Sequence, residues 1–416
     1  MPIPSFVFFA SLLLFIVSDY YLYRRFSQYI LSRNWSKFYS LIYLVLSSLA
    51  VLSMIWVGME RYLYPTLSKP ALYLNSLLAI WYFPKLFIVP ILLLISFVQW
   101  SIKKWFQSKT STKAILTNDE TELELERGLP NRRKFVQNIG WAAIGAPFVL
   151  VTHGVFKESL DFHTERITYY LPNLPHQFDG FTIAQISDIH CGSFYDDKPM
   201  QEIRMITNAL RPDLIAITGD FVNFSTEEIG KITKELEKLK APFGVKASLG
   251  NHDHYMNWQE HLQLREAIRA TGIDLLVNEN RILKADGATL QLAGTDNTGF
   301  KQNFANLPKA LENCTIDTST ILLAHDPTFW DRQIVGKAPV DLMLSGHTHG
   351  GQVAFHFLGK ELSIIRMIYD QWAGSYTKDD QHLYINRGVG TTGPPIRIGV
   401  PPEITYITLK KAQKFA

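Results

Sequence analysis

The stretch "VDLMLSGHTHGG", residues 340 to 351, runs from an apolar segment straight into two histidines fenced by glycines. Its first five residues read as a short buried strand. If the backbone stays extended beyond that strand, positions i and i+2 face the same way, and His347 and His349 point together into the space past the strand end. Two imidazoles converging there call for a metal ion.

The pattern recurs along the second half of the chain. "FTIAQIS", "LIAIT", "VKASL", "LQLAG", "TILLA", "HLYIN" and "ITYIT" also read as strands. Helical stretches near 198 to 210, 226 to 240 and 258 to 271 separate the early ones, so an α/β domain with its sheet covered by helices is expected. "SDIHCG" follows the first strand with Asp188 and His190, "TGDFVN" the second with Asp220, and "GNHDH" the third with Asn251 and His252. "LLAHDP" then brings His325. The carboxyl ends of strands frame the crevice of an open α/β sheet, so these residues should meet in space. A lone DxH or GD is an ordinary cap or turn; five such clusters, each ending a strand, are not.

The first half is a different material. Hydrophobic residues make up 47% of the 416 and aromatics 13%, with the long apolar runs gathered before residue 152. Residues 4 to 22 and 38 to 58 each supply an apolar run of membrane-crossing length. A third run, 71 to 100, contains Pro84, Lys85 and Pro90 and should be longer and kinked. A fourth, 136 to 152, follows "NRRKFVQN", which resembles a twin-arginine export signal through Arg132, Arg133 and Phe135 and also fits an ordinary basic flank. Arg24, Arg25, Arg33 and Lys37 fill the first loop and eight basic residues the third, against only Arg61 and Lys69 in the second. The first and third loops therefore face the cytoplasm, with everything after residue 152 on the other side.

The division that follows is three transmembrane helices in 1–100, a polar cytoplasmic linker in 101–135 that includes "TNDETELELERGLP", a fourth span or signal anchor in 136–156, and a catalytic domain in 157–416. The protein should sit in the cytoplasmic (inner) membrane with its catalytic domain extracytoplasmic. A net charge of +3 without a basic stripe excludes nucleic acid as a partner. Cys191 and Cys314 cannot build a disulfide framework or a thiolate site, and read as packed thiols.

The series DxH, GDxx(D/N), GNHD, H and GHxH resembles the calcineurin-like metallophosphoesterases over about residues 178 to 410. The tail "NRGVGTTGPPIRIGVPPEITYITL" is similar to a membrane-associated bacterial branch. The resemblance implies two β-sheets packed face to face between helices, and a centre of two divalent metal ions (manganese, iron or zinc). One ion would be held by Asp188, His190, Asp220 and His349, the other by Asp220, Asn251, His325 and His347, with Asp220 shared. Two such cations lower the pKa of a water between them and neutralise phosphoryl oxygens, so the implied reaction is in-line hydrolysis of a phosphoester. His252 would stabilise or protonate the leaving oxygen. Its usual aspartate partner is here Asn223, an amide that can orient the ring but not support its charge.

Competing classes are a silent receptor or scaffold that keeps the fold and a metal-dependent amidase. Asp196, Asp253, His254 and Asp326 read equally as partners of the ligands or as turn residues, and Arg387 and Arg397 as packing or ion-pairing groups. The apolar run "GGQVAFHFLGKELSIIRMIYDQWAG", 350 to 374, with Phe357 and Trp372 prominent, suggests a lipid-linked phosphodiester or pyrophosphate as substrate.

Overall fold

The computed structural model describes residues 5–110, 130–299, 302–357 and 360–412. Of the expected linker at 101–135, residues 111–129 lie outside them while 101–110 and 130–135 are helical; Leu358 also lies outside, and the Phe357 side chain is likewise not described. The N-terminal region forms α1 (Ser5–Ser32), α2 (Phe38–Leu63), α3 (Lys69–Tyr82), α4 (Lys85–Thr110) and α5 (Pro130–Phe156). Among the described residues, three stretches are long and apolar enough to cross a membrane: Phe6–Ser32, Phe38–Leu63 and Lys69–Trp105. The third is interrupted at Phe83 and Pro84, while Pro90 lies inside α4. A proline ring disfavours helix at the residue before it, which places the break there.

Two compact units emerge, one joining Pro4–Trp56 to Leu77–His153, the other joining Val57–Ser76 to Gly154–Ala416. Inside the first, Lys85 is buried in an ion pair with Asp19. Tyr43 and Tyr82 donate to the same carboxylate at 3.3 and 3.2 Å, and the ammonium stands 3.7 Å from the Trp81 ring centre. A charge in an apolar bundle is tolerable only when paired and solvated by protein in this way.

The second unit is built on strands β1 (His163–Leu171), β2 (Thr182–Ile186), β3 (Leu214–Thr218), β4 (Val245–Ser248), β5 (Asp274–Leu275), β6 (Glu279–Ala285), β7 (Ala288–Gly294), β8 (Thr320–Leu323) and β9 (Leu342–Ser345). A small hairpin follows, β10 (Ala354–Phe357) and β11 (Lys360–Ser363), then β12 (Gly374–Lys378), β13 (Gln381–Ile385) and β14 (Glu403–Lys411). Two six-stranded sheets result, ordered β1-β14-β2-β3-β4-β5 and β12-β13-β9-β8-β7-β6.

Alternation along the strands explains why the sheets stack. Ile183, Leu214 and Ala216 of the first sheet share a core with Leu290, Leu292, Ile321, Leu323, Leu342 and Leu344 of the second. The intervening residues Ala184, Ile186, Ile215 and Ile217 turn outward onto α6 (Lys198–Ala209) and α7 (Trp258–Ala270) through Met200, Ile203, Leu264 and Ile268. Successive side chains of a strand point to opposite faces, so an unbroken apolar strand must be covered on both. The helix expected over 226–240 is instead a 3-10 turn, Thr226–Lys231, and one helical turn, Thr233–Leu236. Gly230 in its middle weakens a continuous helix.

Candidate metal centre

β2, β3 and β4 run parallel, as do β7, β8 and β9, so the loops leaving them gather at one end of the stacked sheets. There the side chains meet in three overlapping groups: Asp188, His190 and His349; His190, Asp220 and His252; Asp220, His325 and His347. Within each group the ligand atoms lie within 4.8 Å of one another. Asp220 Oδ2 is 3.4 Å from His190 Nε2 and 3.1 Å from His325 Nε2, while Asp188 Oδ1 is 3.3 Å from His349 Nε2. Asp220 thus stands between two sets of imidazoles, where a shared ligand belongs.

The route to this arrangement differs from the extended backbone read in the sequence. Asp188, His190, Asp220, His347 and His349 all have left-handed φ, from 43 to 74°. His347 and His349 therefore do not face one way by strand alternation. The turn after β9 sends His349 to Asp188 and His190, and His347 to Asp220 and His325. Non-glycine residues pay for that conformation, and such strain concentrates at functional sites.

The donor set fits divalent cations. His190 Nε2 and His349 Nε2 approach to 3.0 Å, and His347 Nδ1 and His325 Nε2 to 3.3 Å. Asn251 Nδ2 donates to the Tyr255 hydroxyl at 2.7 Å, and the Asn251 Oδ1 left behind is buried without a hydrogen-bond partner among the described residues. A buried carbonyl oxygen rarely goes unpaired, so this one suits a hard cation. His325 Nδ1 donates to the Thr218 carbonyl at 2.7 Å, which orients the ring so that Nε2 faces the carboxylates. Burial would lower the His325 pKa, but Asp220 and Asp188 outweigh it and raise it to about 10. Burial, helped by His325, holds His347 down to about 4. The pocket's carboxylates demand positive charge, and most of its imidazoles stay neutral and free to ligate.

The glycines of the motifs answer to close approach. A Cβ on Gly346 would overlap Ser187 Oγ and Asp188 Oδ2, and one on Gly250 would overlap Asp220 Oδ1. Asp253 is fully buried and accepts at 2.9 Å from each of the Asp220, Phe221 and Gly250 backbone N–H groups, so it fixes the loop that carries Asp220. Arg397, also buried, donates to the carbonyls of Arg387, Gly388, Gly390 and Val400. Gly390 N donates in turn to the Asp188 carbonyl at 2.8 Å, so the tail motif props the first ligand loop. Arg387 pairs with Glu403 at 2.8 Å. His254 pairs with Asp296, Asp326 is taken by Thr328 and Arg332, and Asp196 by Lys198.

His252 reaches the cluster, and its backbone N–H donates to Asp220 Oδ1 at 2.8 Å. The expected pairing with the Asn223 side chain is not formed. His252 Nδ1 donates instead to the Asn223 main-chain carbonyl at 2.7 Å, and the Asn223 side chain turns to Ser193 Oγ at 3.1 Å. Burial holds the His252 imidazole down to about 4. Two tyrosines escaped the sequence reading: Tyr255, bonded to Asn251, and Tyr369, whose hydroxyl is 2.9 Å from His347 Nε2. The adjacency of Tyr255 to "GNHDH" and the place of Tyr369 in the run 350–374 were the hints the sequence held. Trp372, expected to line a lipid groove, is buried beneath the motif turn, its carbonyl accepting from Thr348 Oγ1 at 2.5 Å. Cys191 and Cys314 are free thiols.

A buried cluster of aspartates and histidines at the strand ends of two stacked sheets defines a metal-dependent hydrolase. Residues 181–351 match the family model of the calcineurin-like phosphoesterases, and residues 4–159 match one described as "Probable Calcineurin-like phosphoesterase, transmembrane domain". The chain is 33% identical over 247 residues to the uncharacterized metallophosphoesterase YkuE of Bacillus subtilis, covering 57% of this chain and 82% of that one. Phosphodiesterase YaeI of Escherichia coli is 27% identical, with 55% of this chain and 82% of that one covered. A transmembrane protein with metallophosphoesterase domain from Danio rerio is also 27% identical, over 64% of this chain and 61% of its own length. The chain belongs to the calcineurin-like metallophosphoesterases and is a phosphoester hydrolase carrying membrane-spanning helices.

Proposed function

We propose that the protein hydrolyses a phosphodiester or pyrophosphate bond in a lipid-linked substrate at the outer face of the cytoplasmic membrane. Asp188, His190, Asp220 and His349 would hold one cation, and Asp220, Asn251, His325 and His347 the other, in keeping with the Asp and His groups the fold brings together and with the unpartnered Asn251 Oδ1. Two divalent cations bound there would supply a water of lowered pKa and positive charge against the phosphoryl oxygens. With Nδ1 committed to the Asn223 carbonyl, His252 offers Nε2 to the leaving oxygen. An incoming phosphate raises the pKa of that neutral ring by its charge, and the ring then holds a proton for the leaving group. Asp253 and Arg397 keep the ligand loops in place.

The observation that carries the lipid reading is an apolar edge beside the centre. Leu362, Ile364, Met367 and Ile368 are exposed, Met367 by 87%, and the same segment continues into Tyr369 at His347. Contiguous exposed apolar side chains next to a polar site suit a membrane surface or an acyl chain. The extracytoplasmic placement, with α5 as fourth span, rests on the loop charges. It gains support from Val57–Ser76, which belongs with the catalytic unit as a loop on its side of the membrane should.

The test uses the full chain in lipid nanodiscs loaded with manganese, assayed on phospholipid, on a lipid diphosphate and on bis(p-nitrophenyl) phosphate. Replacing Ile364 and Met367 by Ser should lower kcat/KM for the lipid about tenfold or more, in line with the loss of two exposed apolar side chains that bound lipid would cover, and spare the small ester. Equal losses on both would remove the lipid assignment, and an Asp220→Ala control should be inactive throughout.

A further inference from the structure

A concave pocket of about 620 Å³ opens beside the metal centre, and one of its walls comes from Val57–Ser76, the end of α2, the start of α3 and the turn that joins them. Arg61, Tyr64 and Leu72 of that segment face Asn223, Phe224 and Tyr255 of the catalytic loops. The volume falls within the range of small-ligand sites. The segment is fastened to the loop after His190: Tyr73 stacks on Tyr195 with ring centres 4.5 Å apart and planes 9° off parallel, and Ser76 shares a hydrogen bond with the Tyr195 hydroxyl.

Arg61 is half-buried at the pocket wall. Its guanidinium carbon lies 4.7 Å from the Phe224 ring centre, and the same ring is 5.7 Å from that of His252. Among the described residues the guanidinium makes no hydrogen bond and no ion pair. The nearby Glu228 carboxylate is taken by the Asn223 and Phe224 backbone N–H groups. Tyr255, in contact with the His252 ring at 4.5 Å and bonded to Asn251, joins this pocket to the candidate ligands. A planar fork held flat on an aromatic ring, with its donors uncommitted, is the arrangement that grips phosphate or carboxylate.

We propose that Arg61 binds a second anionic group of the substrate, on the leaving-group side of the scissile phosphate, so that Val57–Ser76 forms part of the active site. The proposal rests on the phosphoesterase reading and narrows the substrate to one carrying at least two anionic groups, such as a diphosphate or a headgroup with its own phosphate or carboxylate. His252 then lies between the two anions, where the departing oxygen must be.

The test measures binding, by calorimetry, of propane-1,3-diphosphonate and of propylphosphonate to the manganese-loaded full chain. The wild type should prefer the diphosphonate. Arg61→Gln should reduce that preference about 10- to 100-fold, the worth of a charged hydrogen-bonding partner, and Arg61→Lys, which keeps the charge but not the fork, should retain part of it. A preference unchanged in both variants overturns the proposal. If the Gln variant fails to fold, the Lys variant decides alone: a reduced preference supports the assignment and a wild-type one overturns it. Wild-type protein that binds neither phosphonate would sink the phosphoesterase reading itself, whereas equal binding of both would sink only the role of Arg61.

Discussion

His252 and Asn223 show what a single residue's neighbours change. In the sequence the two looked like a histidine and its amide partner, and the spacing was right. The histidine instead uses the main-chain carbonyl of residue 223, which any side chain there would present. His252→Ala should therefore cost about 10²- to 10⁴-fold in kcat, the usual weight of a group handling the leaving-group proton. Asn223→Ala should cost less than about tenfold, because it keeps the carbonyl that holds the ring. Metal content measured alongside separates catalysis from loss of the centre, and equal falls in kcat would restore the side chain to a catalytic role. Asp253 makes the complementary point. A carboxylate that reads equally as a partner of the ligands or as a turn residue proves to be the anchor of the Asp220 loop, which no spacing rule reveals because its partners in that loop are backbone groups 31 to 33 positions away.

At the scale of elements, the strands legible in the sequence are those buried on both faces. β3, β8 and β9 are apolar but for one terminal hydroxyl residue each, and β2 but for Thr182 and Gln185, and each was found within a residue or two. β1, β6 and β12 were missed because their sequences, "HTERITYYL", "ENRILKA" and "GSYTK", are polar. They lie at sheet edges, where half of the residues meet solvent and leave no apolar run to read. The site was legible for a different reason, since its ligand types recur wherever such a strand ends. What the spacing could not convey was the left-handed turn that distributes them. Gly346→Ala tests that turn: the added methyl would push into Ser187 and Asp188, and metal content should fall in a chain that still folds. An alanine variant with full metal occupancy would mean that the loops yield more easily than their packing implies.

For the whole molecule, the question is which side of the membrane the chemistry faces. In a Cys314→Ser background, where Cys191 is buried, a membrane-impermeant maleimide applied to intact cells should label a cysteine at exposed Glu237 and leave one at exposed Asn34 unlabelled. The reverse pattern would turn the protein around. Loop charge made this expectation readable, because a basic loop resists translocation whatever the fold. The join of Val57–Ser76 to the catalytic unit was not readable, since it depends on contacts such as that of Tyr73 with Tyr195, which lie far apart in the chain.

The five left-handed residues of the centre carry a further implication, for descent. Each position would be relieved, by about 1 to 2 kcal/mol, if glycine took its place, and asparagine too would sit there with less strain. Selection for hydrolysis keeps aspartate and histidine there against that gradient. A lineage that stopped using the chemistry would gain stability by letting those positions drift, and would do so in a predictable direction. Glycine or asparagine at positions 188, 190, 220, 347 and 349 is therefore the fossil by which a retired copy of this enzyme can be told from a working one, even where the surrounding strands are unchanged.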